Sequence, residues 1–156
     1  MSPSNPVEAD RRYFTVEQAN KTLPLVRVIV SDIVMQWKVV SELEERLAPM
    51  LAERRRGQVD PYSEELAHSQ TELEAARDAL RRYLEELEKL GVELKGAHNG
   101  LCDFPSLKDG REVYLCWKLG ESEIRHWHEL EAGYAGREPL TPELIAQFGQ
   151  VEDGSA

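Results

Sequence analysis

The sequence predicts an α+β protein: a long, coiled-coil-like antiparallel two-helix hairpin carrying a small C-terminal antiparallel β unit. Three observations predict it. Apolar residues recur in steps of three and four from Leu23 to Met50, which draws one stripe along a helix. Leu66, Leu73, Leu80 and Leu87 then recur every seven residues. Beyond Gly91 the period drops to two, between turns that contain glycine. The 156 residues suffice for one compact domain with a helical extension. They divide into a disordered lead-in (1–12), the hairpin (13–91), a β-rich cassette (92–140), and a short helical segment with a disordered tail (141–156).

The first helix is predicted to start at Thr15. Thr15 and Gln18 have the spacing of a capping box, and Phe14 is placed to staple against Ala19. Pro24 lacks an N–H, so the expectation is a short first helix, a break, and a fresh start near Thr22. From there Leu23, Val26, Val30, Ile33, Trp37, Val40, Leu43, Leu47 and Met50 form the stripe, widened by Ile29, Val34 and Val39. Gly57 to Pro61 reads as the turn, with Asp60 capping the second helix. In that helix Ser69, Ala76, Tyr83 and Leu90 fill the second seam position, while Asp78–Arg82 and Glu85–Lys89 pair on the outer face. Gly91 stops it in the left-handed conformation. Each arm is expected to run about 45 Å at 1.5 Å per residue.

In the cassette, Val92–Lys95, Leu101–Pro105 and Glu112–Leu119 read as strands, separated by His98-Asn99-Gly100 and Lys108-Asp109-Gly110. Alternation puts Val113, Leu115, Trp117 and Leu119 on one face and Tyr114, Cys116 and Lys118 on the other. Ile124–His128 fits either a strand or a short helix. Pro142 to Phe148 reads as one or two helical turns.

A net charge of −10 argues against a nucleic-acid partner, since phosphate binding needs a surplus of Lys and Arg on one face. Arg54-Arg55-Arg56 reads instead as the basic end of a helix. No apolar run reaches membrane-spanning length and the start lacks a signal-peptide core, so the expectation is a cytoplasmic protein with no membrane partner. Its two cysteines are then expected to be thiols or ligands.

The segment from Gly100 to Leu140 holds both cysteines, two of the four histidines, two of the three tryptophans and half of the ten glycines. Any site is expected there. His126-Trp127-His128 would point both imidazoles to one side if it is a strand, with Cys116 and Asp103 as further ligands; such a set suits zinc or iron. The alternative is an acid–base pocket of Asp103, Glu121 and His128, with Arg137 clamping a small anionic substrate. Cys116 beside His128 also fits a nucleophile, provided the thiol pKa is depressed. Glu65 and His68 have the spacing of a di-iron helix motif. The bland reading of every one of these is a packed or solvated side chain. The sequence therefore favours a structural or interaction module, self-associating through its hairpin into a homodimer or higher oligomer, over the metal-binding and enzymatic alternatives.

The pieces FTVEQANKTLP, GVELKG, GLCDFP, DGREVYLCWKLGE and IRHWHELEAGYAGREPL resemble an uncharacterised bacterial family, domain of unknown function 2203, some of whose members carry a division-initiation label. The resemblance implies a helical hairpin joined to a small α+β unit and transfers no activity. Asp103, Phe104, Cys116, Trp117, Gly120, Glu121, Trp127, His128, Gly133, Gly136 and Arg137 fall on its motif positions; Cys102 and His126 do not. It therefore implies a metal set of Asp103, Cys116, Glu121 and His128 ahead of His126, and Glu121, His128 and Arg137 as the catalytic candidates.

Overall fold

The computed structural model describes residues 11–55 and 63–149. The element order is α1 (Val16–Arg55), α2 (Ser63–Lys89), β1 (Glu93–Gly96), β2 (Leu101–Lys108), β3 (Arg111–Lys118), β4 (His126–His128), a 3₁₀ turn at Tyr134–Gly136, β5 (Glu138–Pro139), α3 (Pro142–Ile145) and β6 (Phe148–Gly149). The predicted α+β class is the observed one. The Gly57–Pro61 turn and the Asp60 cap lie outside the described residues.

The capping box at the start of α1 forms in both directions. The Gln18 N–H donates to Thr15 Oγ1 at 3.1 Å and the Thr15 N–H donates to Gln18 Oε1 at 3.0 Å. The predicted break at Pro24 does not occur: α1 is one helix of 40 residues, about 60 Å long rather than 45 Å. Proline removes the hydrogen bond to the carbonyl four residues back. Here Val16, Ala19, Leu23, Val26, Val30 and Ile33 are all buried in one core on both sides of the proline. Burial of that stripe exceeds the roughly 3 kcal/mol that proline costs in a helix interior.

α2 packs its heptad seam on α1. Leu66, Ser69, Leu73, Ala76 and Leu87 are buried, and the Gln36 amide reaches across to the Ala76 carbonyl at 3.0 Å. Asp78 pairs with Arg81 at 2.8 Å rather than with Arg82. At Gly91 (φ 86°) the Gly91 and Val92 N–H groups return to the carbonyls of Glu88 and Leu87. This Schellman pattern closes the helix.

The sheet order is β1-β2-β3-β4-β5, with β6 pairing on β2. Asp109 (φ 52°) and Gly110 (φ 78°) make the two-residue β2–β3 turn, the primed geometry that suits a hairpin. β2 continues past Pro105, the last residue of the predicted strand, to Lys108. β1 pairs with β2 as far as Asp103 and β6 begins at Leu107, so Pro105 sits in the gap between them. A strand tolerates proline where no ladder donor is needed. The Pro105 carbonyl accepts the Phe14 N–H at 2.8 Å, and the Ser106 hydroxyl donates to the Phe14 carbonyl at 2.5 Å. Ile124–His128 resolves as a strand over its last three residues. The Pro142–Phe148 segment is helical only to Ile145, under a Thr141 cap. Phe148 then joins the sheet, so the β unit extends beyond residue 140.

Alternation splits the sheet into two faces. Cys102, Phe104, Val113, Leu115, Trp117 and Trp127 face α1 and share its core with Phe14, Val26, Val30 and Ile33. The other face carries Asp103, Tyr114, Cys116, His126 and His128.

Candidate functional site

Register places this second set. Asp103 on β2 stands opposite Cys116 on β3, which stands opposite His126 on β4. Tyr114 stands opposite His128 one step along. The pleat lifts all five side chains off the same side, and neighbours directly across strands lie about 5 Å apart at Cβ.

Three of them converge. One ligand atom each from Asp103, Cys116 and His128 lies within 4.8 Å of the other two, and all three residues are buried. Burial of Asp and His on the sheet face that carries no core is unusual, because such groups leave water only with partners. The partners are explicit. His128 Nε2 is 2.9 Å from Asp103 Oδ1, and His128 Nδ1 is 2.6 Å from the Glu129 carbonyl. A carbonyl only accepts, so Nδ1 carries the hydrogen and Nε2 is the nitrogen presented to Asp103 and Cys116. A histidine whose far N–H is tied to a backbone carbonyl, leaving the other nitrogen aimed at a carboxylate and a thiol, is oriented as metal ligands are. The Tyr114 ring lies against the imidazole at 5.5 Å between centroids.

The thiol is not prepared as a nucleophile. Burial, and then the neighbouring Asp103 charge, push the Cys116 pKa up to about 12, and the Arg137 contact only partly opposes them. Nucleophilic cysteines need the opposite shift. The expected Cys116–His128 nucleophile therefore lacks its premise. Burial also raises the Asp103 pKa, although the His128 hydrogen bond counters it. Cys102 points into the core on the other face and its thiol is pushed up to about 12, chiefly by burial.

Glu121 and Arg137 stand beside this cluster and hold each other. Arg137 Nη1 and Nη2 donate to the two Glu121 oxygens at 3.0 and 2.6 Å. Glu121 Oε1 also accepts the Lys118 N–H at 2.8 Å. Burial would raise the Glu121 pKa, but the Arg137 and Lys118 hydrogen bonds outweigh it and hold the carboxylate below its usual range. Arg137 also reaches Cys116 Sγ at 4.0 Å and stacks over the Tyr134 ring at 4.4 Å. The guanidinium expected to clamp a substrate is thus matched to an internal carboxylate. His126 borders the pair, its Nδ1 4.0 Å from Glu121 Oε2. Glu65 and His68 are both exposed on α2, and no metal-ligating group of three includes them among the described residues.

A second network on the same face was not legible in advance. Arg11, assigned to the lead-in, forms ion pairs with Glu93 and Glu112. Tyr114 donates from its hydroxyl to Glu93 at about 3.0 Å. Glu112 shares the alternation of Tyr114 and Cys116, which was the available signal; Arg11 had none.

A helical hairpin fused through one core to a six-stranded sheet, with a buried Asp–Cys–His cluster on the outer face, defines the class of protein. The chain belongs to a family of uncharacterized conserved proteins (DUF2203), whose model matches residues 12–140. No curated protein and no solved structure matches it. Among the described residues no helix is long and apolar enough to cross a membrane.

Proposed function

We propose that the chain is a small metal-binding protein that holds a zinc-class divalent ion through Asp103, Cys116 and His128. The observation that carries this reading is the convergence of the three ligand atoms within 4.8 Å in buried positions. Tetrahedral bonds of 2.0–2.3 Å set ligand atoms roughly 3.4 Å apart, so the 2.9 Å Asp103–His128 contact opens by about half an ångström to admit the ion. The ion replaces the proton shared by that pair and the thiol proton, since a coordinating thiol is deprotonated outright. Sulfur, nitrogen and one carboxylate favour zinc, with iron the less well matched option. Bound there, the ion ties β2, β3 and β4 together. Titration of zinc into chelator-treated protein should give one tight site per chain. Cys116→Ser should weaken it by at least the roughly 100-fold at the upper end for outer partners; equal affinity in that variant would reject the site.

Self-association is the second reading, favoured by a separate observation. Ile29 is buried and Val34 is covered within the chain, so these two members of the widened stripe find their cover internally. Leu25, Val28, Met35 and Val39 do not; they are 53%, 60%, 69% and 42% exposed. Their spacing of three, seven and four puts them on one side of α1. Antiparallel pairing of α1 with a second copy would cover them and make a four-helix arrangement. Sedimentation equilibrium should then give a dimer at tens of micromolar, lost in Met35→Lys, whereas a monomer in the unmodified chain would contradict it.

A further inference from the structure

Resting on the metal reading, we infer that His126 supplies the fourth ligand, so that the site is a closed Asp103–Cys116–His126–His128 centre with no position left for substrate. The described residues bring three donors together, and a tetrahedral ion takes four. The fourth must rise from the same sheet face or come from solvent. Glu93, Glu112 and Glu121, acids on or beside this face, are each tied to a cation, Glu93 by Arg11 and Lys95, Glu112 by Arg11, Glu121 by Arg137.

His126 differs from all three. It stands directly across from Cys116 in the register and two residues from His128, so both imidazoles leave β4 on the ligand side. Its Nδ1 is enclosed and has no hydrogen-bond partner. The nearest carboxylate oxygen is 4.0 Å away, beyond hydrogen-bonding range. An enclosed polar nitrogen without a partner has a missing ligand as one of its few explanations. Cross-strand neighbours are about 5 Å apart at Cβ, and an imidazole reaches further than a thiol, so a turn of the His126 side chain carries a ring nitrogen toward an ion seated on Cys116. The neighbouring His128 is already fixed.

A closed site predicts a function different from that of an open one. Catalytic zinc keeps an exchangeable position, and structural zinc does not. The test uses the full-length protein loaded with cobalt(II), whose visible absorption reports coordination. In the unmodified protein the bands should be those of a tetrahedral ion and should not move when azide is added. His126→Ala should bind cobalt at least roughly 10-fold more weakly, the lower end for outer partners; its bands should shift saturably with azide, and free imidazole should restore the original spectrum. His126→Asn, which keeps a polar side chain in the strand, should behave in the same way, and circular dichroism checks that each variant is folded. An azide-induced shift in the unmodified protein, or unchanged affinity in both folded variants, overturns the four-ligand centre while leaving the three-ligand site standing. Failure of the unmodified protein to take up either cobalt or zinc overturns both.

Discussion

Trp117→Ala should destabilise the protein by about 3–5 kcal/mol, the range for deleting a buried large aromatic. Trp117 is fully buried in the core shared by α1 and the sheet, with the Arg27 guanidinium 6.0 Å from its ring. Its loss leaves a cavity where the hairpin meets the β unit. The effect extends beyond packing. The indole N–H donates to the Glu121 carbonyl at 2.9 Å, and the turn it fixes aims Glu121 at Lys118 and Arg137. Trp117→Phe keeps most of the volume but not that hydrogen bond, so its cost should be well below that of alanine. Urea denaturation with a common slope measures both; equal costs would show that the turn, rather than the core, carries the effect.

His128→Ala should cost a comparable 3–5 kcal/mol at neutral pH, for a different reason. Asp103 and His128 expose only 5% and 2% of their side chains. Removing one partner of such a pair strands the other away from water, and that penalty exceeds the value of the pair itself. The Glu129 carbonyl also loses the donor that fixes the imidazole. Replacing both residues with leucine should therefore cost less than the sum of the single changes, a non-additivity measured by a double-mutant cycle. Additive costs would mean that the two side chains do not act as a pair.

The hairpin and the first three strands were legible because periodicity is a local property. The heptads of α2 and the two-residue alternation of β3 specify which side faces the core without reference to any distant residue. Pro24 was misread for the converse reason: its helix is held by Val16, Ala19 and Val26 against a sheet more than seventy residues away in sequence, and no local rule weighs that support. β6 escaped notice because two residues carry no period. At the site, alternation separated Cys116 from Trp117, and family motifs singled out Asp103 and His128. The Glu121–Arg137 pair was placed among candidate residues without its being evident that each satisfies the other, since that depends on how the loop through Tyr134 folds back. His126, off the family motif but already a candidate ligand in His126-Trp127-His128, draws further support from the register and its unpartnered nitrogen.

Whether the outer face of the sheet is a metal centre is decided by elemental analysis of protein purified without a histidine tag or added metal. Close to one equivalent of zinc, or of iron, per chain is expected, lost in Cys116→Ser and in His128→Ala. Metal far below stoichiometric in the unmodified protein, unchanged after incubation with zinc and indistinguishable from the Cys116→Ser variant, would contradict it.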